Sequence, residues 1–129
     1  MSTYLVAFVV SDFKVAAKMS NKHNILVEVA ARPDKIERGE GDYALDMATQ
    51  IVDYFSDIFD MKYPIKKLTN VAMPDFSAGA MENFGLITYR ENYLTFNATL
   101  DNLNTKTYLT LVIAHEIAHQ WVKNIFFIF

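Results

Sequence analysis

His115, Glu116 and His119, in the run His-Glu-Ile-Ala-His, have types and spacing suited to metal chemistry. They fall in an apolar stretch, Tyr108 to Val122, that contains no glycine or proline and reads as a buried helix. Residues four apart on a helix lie about 40° apart around its axis and one turn along it, so both imidazoles can face one ion. A lone histidine on an apolar helix face is more often a packed core residue. Two of the chain's 3 histidines flank a glutamate here, and that pattern points to zinc. Zinc accepts nitrogen ligands and lowers the pKa of a bound water towards neutrality, and Glu116 stands close enough to take that water's proton. The hydroxide so formed attacks a polarised carbonyl, which is the chemistry of peptide hydrolysis.

A second group is Gly79-Ala80-Met81-Glu82-Asn83. Taken alone it is a small-residue turn with a solvated carboxylate at the start of a strand. Beside a zinc helix it gains a role. Gly79 and Ala80 allow a peptide backbone to approach closely and pair with the main chain, as in strand addition. Glu82 can then hold a cation at the end of that peptide.

The rest of the chain must position these groups. It has 129 residues, 52% of them hydrophobic and 21% charged, which is globular composition. The formal net charge of −3 argues against nucleic acid as a partner, because phosphate binding needs a basic face. With no cysteine, any metal must be held by His, Asp or Glu. No apolar run is long enough to span a bilayer.

Strands are expected at Tyr4–Val10 and Ile25–Ala30, with a polar turn over residues 18–24 between them. Arg32-Pro33-Asp34 ends the second strand, and a linker with Gly39 and Gly41 follows. Asp42 offers an N-cap to an amphipathic helix whose apolar stripe includes Ala44, Ala48, Ile51, Phe55 and Phe59, ending near Asp60. Further strands are expected at Leu68–Met73 and Phe84–Tyr89, the latter continued by Tyr93–Phe96, before the last helix. The fold class is α+β, with a seam near residues 31–41.

The two motifs together resemble the aminopeptidase N family of zinc metallopeptidases, with Glu82 and His115 separated by 33 residues. Gly41-Asp42-Tyr43-Ala44-Leu45, Pro74-Asp75-Phe76-Ser77-Ala78, Gly85 to Glu91, His119-Gln120-Trp121 and Met1 to Phe8 are similar to its pattern as well. The resemblance implies that residues 1–32 are the C-terminal strands of an all-β N-terminal domain. Residues 33–129 would then be the first part of a thermolysin-like zinc metallopeptidase catalytic domain. It also implies that His115 and His119 bind one zinc ion and that Glu116 is the catalytic base. Gly79, Ala80, Met81, Glu82 and Asn83 would bind the substrate, with Glu82 on the free α-amino group of a peptide. An ammonium-binding carboxylate favours removal of N-terminal residues, since a peptide without that charge leaves Glu82 unpaired.

The chain departs from the family pattern at Val122-Lys123-Asn124, where Phe-Gly-Asn is usual, at Phe84, where Trp is commoner, and at Lys66, where Pro is commoner. The family's third zinc ligand, a glutamate, and its transition-state tyrosine both lie beyond Phe129. A truncated piece with little turnover is therefore expected. Two alternatives remain. One is a catalytically inactive fragment that binds a partner or a full-length homologue, or associates with itself through the apolar end Ile125–Phe129. The other is a zinc endopeptidase, which keeps the metal helix and has no use for the amine-binding motif. Asn97-Ala98-Thr99 matches a glycosylation acceptor. Gly41 to Leu45 leans towards the membrane-anchored ectoenzyme branch, with the cytosolic branch as the alternative.

Overall fold

Three strands buried along most of their length form the middle of the molecule. They are β2 (Leu26–Ala31), β3 (Lys67–Met73) and β5 (Leu86–Arg90). In β3 every residue from Leu68 to Ala72 is buried, as expected of a parallel strand covered on both faces. The computed structural model describes residues 6–123. Within them one five-stranded sheet has the order β1-β2-β3-β5-β4, with β1 at Lys14–Met19 and β4 at Ala80–Met81. β3 runs parallel to β2 and β5, pairing Asn70 with Val29 on one side and Ile87 on the other. The outer strands β1 and β4 are antiparallel to their neighbours.

A parallel pair needs a crossover. Between β2 and β3 it is made by α1 (Pro33–Glu37) and α2 (Asp42–Ile58). Ala44, Ala48 and Val52 recur at four-residue spacing on α2 and are fully buried. The last helix, α3 (Leu103–Val122), buries Leu109, Ile113, Ile117 and Trp121. Trp121 sits among Phe55, Phe59 and Tyr63, with ring centroids 6.0, 6.0 and 5.4 Å away. Its indole N–H donates to the Met61 carbonyl at 2.8 Å, so its single polar atom is satisfied inside the core. No helix among the described residues is long and apolar enough to cross a membrane.

Several boundaries differ from those expected. Val6–Val10 is not a strand: Val6, Phe8 and Val10 are 63%, 87% and 90% exposed, while Tyr4 and Leu5 lie outside the described residues. The first strand is Lys14–Met19, which overlaps the expected polar turn. An edge strand tolerates charge, and Lys14 and Lys18 reach outward to Glu37 and Asp46. Residues 33–37 are helical, with Pro33 in the first turn, where its missing N–H costs nothing.

The N-cap of α2 is Gly41, and Asp42 is the first helical residue, placed to offset the helix dipole. That helix stops at Ile58, and Asp60 adopts φ 47° just beyond it. Tyr93–Phe96 does not extend β5. Glu91–Tyr93 forms a 3₁₀ turn, and the Leu94 and Thr95 N–H groups fold back to the Glu91 carbonyl. α3 starts five residues before Tyr108, because Asn102 Oδ1 caps it by accepting from the Thr105 N–H at 3.1 Å. The segment Ile125–Phe129 lies outside the described residues.

Candidate metal centre

α3 brings His115 and His119 onto one face, and their Nε2 atoms converge to 3.0 Å with the rings perpendicular. Two nitrogens on one tetrahedral zinc stand about 3.3 Å apart, given Zn–N bonds of about 2.0–2.1 Å. The observed 3.0 Å is slightly shorter, a hydrogen-bond distance from which the two rings need to part only by a few tenths of an ångström. Glu116, between them in sequence, is buried, with only 7% of it exposed. Its Oε2 is buried and has no hydrogen-bond partner, alone in this respect among the side-chain oxygens and nitrogens of the described residues. An orphaned buried carboxylate oxygen is costly and calls for a cation or a proton. Donor atoms of Glu82, Glu116 and His119 lie within 4.8 Å of one another, so both carboxylates gather on His119, while His115 stands outside that group. Imidazole nitrogen and carboxylate oxygen are donors that zinc accepts.

The electrostatics follow from this crowding. Burial, reinforced by the charge of Glu82 and opposed by Lys123, pushes the Glu116 carboxyl up to about 7. Burial also lowers His119; Glu82 works against this, while His115 and Lys123 add to it. A depressed imidazole is neutral at pH 7 and keeps its lone pair for a metal. For Glu82, burial acts upward, but the Lys123 ammonium, a backbone N–H and the His119 ring outweigh it and hold the carboxyl below its ordinary value. Lys123 makes a direct ion pair with Glu82 Oε1.

Glu82 lies in the loop after β4, and one buried side chain fixes that loop to α3. Gln120 Oε1 accepts from the Gly85 N–H and the Tyr63 hydroxyl, each at 3.0 Å, and its Nε2 donates to the Asn83 carbonyl at 3.2 Å. The sequence alone assigns Gln120 no role beyond its place in the family-like run His119-Gln120-Trp121. The available signal was a polar residue on the buried face of the helix, directly after His119. The loop turns at Gly85, whose φ of +76° a side-chain-bearing residue rarely adopts. Asn83 is buried behind the loop, and Met81 pairs with Thr88 of β5.

Gly79 and Ala80 stand across from the helix. With Tyr93, Tyr108, His115 and Glu116 they line a cleft of about 310 Å³. Arg90 braces the loop before β4 by donating to the Phe76 and Ser77 carbonyls at 3.1 and 2.8 Å. A Cβ at Gly79 would come to 3.0 Å from the Tyr93 ring, so any larger residue there requires that ring to shift by a few tenths of an ångström. β4 ends the sheet order, leaving its outer edge without a strand partner among the described residues. A larger hollow, about 590 Å³, lies off Lys35, Glu40 and Asp101. Its buried carboxylate, Glu40, is already paired with Lys35 and Arg38.

The chain also resembles known proteins along its length. The Peptidase family M1 domain matches residues 43–127. Over 125 residues, 97% of the chain, it is 46% identical to aminopeptidase N of Homo sapiens and 44% identical to that of Mus musculus. Over the same share it is 47% identical to endoplasmic reticulum aminopeptidase 1 of Homo sapiens. In each case the match covers 13% of the relative's own length.

Proposed function

The chain belongs to peptidase family M1, and from that premise we propose that His115, Glu116, His119 and Glu82 form the zinc-binding, proton-transferring and amine-binding parts of an aminopeptidase site. Members of the family are generally zinc metallopeptidases. One observation carries the proposal. Two imidazole nitrogens converge, and a buried carboxylate with one unpartnered oxygen gathers with a second carboxylate, from the loop after an open sheet edge, on one of those imidazoles.

His115 and His119 would hold the metal. Zinc, when bound, supplies Lewis-acid polarisation of a carbonyl and makes water a competent nucleophile at neutral pH. Glu116 would accept the proton of the attacking water at Oε2 and return it to the leaving amine. The outer edge of β4 offers main-chain hydrogen bonds to an extended peptide, and Gly79 and Ala80 keep that approach free of side chains. Glu82 takes the α-ammonium and so selects peptides with a free N-terminus. The same proposal makes residues 1–32 the end of an N-terminal β domain and residues 33–129 the start of a thermolysin-like catalytic domain. The β2–β3 pairing would be the seam that joins them.

Calorimetric titration with zinc at neutral pH tests the metal assignment. Uptake of one ion per chain is expected, lost in His115→Ala and His119→Ala; no uptake in excess metal refutes it. Hydrolysis of an amino-acid anilide and its N-acetyl counterpart tests the reaction class. Chelator-sensitive cleavage of the free amine alone supports an aminopeptidase, whereas equal cleavage of both supports a zinc endopeptidase. Zinc uptake without any cleavage supports a binding role.

A further inference from the structure

We infer that Lys123 is a specificity-determining residue of this site: its ammonium occupies Glu82 in place of a peptide's terminal ammonium, and a substrate reaches Glu82 only by displacing it. The inference rests on reading Glu82 as the amine-binding group. Lys123 follows His119 by four residues, so it lies one turn further along the face that carries the metal ligands. Its backbone is held there by its N–H, which donates to the His119 carbonyl at 3.0 Å. From that anchor the side chain reaches across to Glu82 and pairs with Oε1.

The chemistry of the contact matches that of the expected ligand. Both Lys123 Nζ and a peptide's α-nitrogen are primary ammonium groups with a unit charge and three donors. Glu82 can only accept, and its side chain is 13% exposed, so little water competes for it. Lys123 is 37% exposed, so its side chain has a route out into solvent when another ammonium arrives. A tethered ligand competes at an effective concentration of order millimolar. If Lys123 holds Glu82 for nine-tenths of the time, apparent affinity for a free-amine peptide falls about tenfold. A peptide blocked at its N-terminus makes no demand on Glu82 and is unaffected. The site therefore discounts the ammonium's contribution to binding, and substrates depend more on their backbone contacts along β4.

Binding of tri-alanine amide and of its N-acetyl twin to the full chain, measured by calorimetry with zinc present, tests the inference. Lys123→Met keeps the length of the stem and removes the charge. It is expected to bind tri-alanine amide about tenfold more tightly than the native chain, with the N-acetyl peptide unchanged. Equal affinity of both proteins for the free-amine peptide, with preference over the N-acetyl form retained, overturns the role of Lys123 and leaves Glu82 standing. Absence of any preference in either protein overturns both.

A second measurement needs no folded variant. In ¹⁵N-lysine-labelled native chain, the Lys123 Nζ resonance is expected to shift on addition of tri-alanine amide and to stay put with the N-acetyl peptide. An unmoved resonance under saturating free-amine peptide overturns the inference.

Discussion

A carboxyl group that is buried without a partner trades stability for chemistry, and Glu116 puts a sign on that exchange. Burial and the neighbouring charge of Glu82 raise its folded value to about 7 from an ordinary 4.5. Below about 4.5 both folded and unfolded chains hold the proton, and the group contributes no pH dependence. Between those values the unfolded chain releases its proton while the folded chain keeps it, so metal-free stability falls as pH rises through this window. The upper bound is about 3 kcal/mol. Glu116→Gln removes this slope, and the metal-free variant is expected to gain on the native chain as pH goes from 5 to 7.5 in urea unfolding. Parallel pH profiles for the two proteins would count against the buried, proton-hungry carboxylate. This residue and its flanking histidines were legible in the sequence because helical spacing alone sets where they point. Lys123 stood out only as a departure from the family pattern, since its partner is 41 residues away and nothing local shows the contact.

At the scale of elements, what the sequence hid was consistently a matter of polar residues doing the positioning. The apolar stripe of α2 and the buried run of β3 announced themselves by period and by bounding prolines. The first turn of α3 did not, because Leu103 to Thr107 is held by the Asn102 cap and not by burial. Asn102→Ala is therefore expected to cost about 1 kcal/mol in chemical denaturation, without altering the proposed metal site. Gln120 is the opposite case. Its amide joins α3 to Gly85, Asn83 and Tyr63, and all of these groups lie in the interior or at its margin. Gln120→Leu keeps the bulk and strands those donors and acceptors, and a loss of roughly 3 kcal/mol is expected. The loop that carries Glu82 should also loosen, so amide exchange at Gly85 should accelerate more than in Asn102→Ala at matched stability. Equal exchange in the two variants would mean that the loop does not depend on Gln120. The sheet edges were misplaced for a related reason. β1 is an edge strand whose lysines find partners on α1 and α2, so it lacks the apolar signature that Val6 to Val10 carries while standing exposed.

For the molecule as a whole, the proposed metal site and the core share one helix. The face of α3 that carries His115 and His119 is backed by Ile113, Ile117 and Trp121, which are fully buried against the rest of the core. Unfolding the core removes the helical turn that brings the imidazoles together, so the unfolded chain has no preformed site. Zinc binding should then stabilise the entire chain by mass action. At free zinc one hundred times its dissociation constant the gain is about 2.7 kcal/mol. For a chain of this size that corresponds to a rise in Tm of roughly 10 °C. The rise should grow with the logarithm of zinc concentration, vanish in His119→Ala, and survive in Glu82→Gln if Glu82 serves the peptide and not the metal. A Tm shift that Glu82→Gln abolishes would instead make Glu82 a third ligand, in keeping with its place within 4.8 Å of Glu116 and His119. Scanning calorimetry of the three proteins across a zinc series separates these cases, because only the metal ligands enter the linkage between folding and zinc.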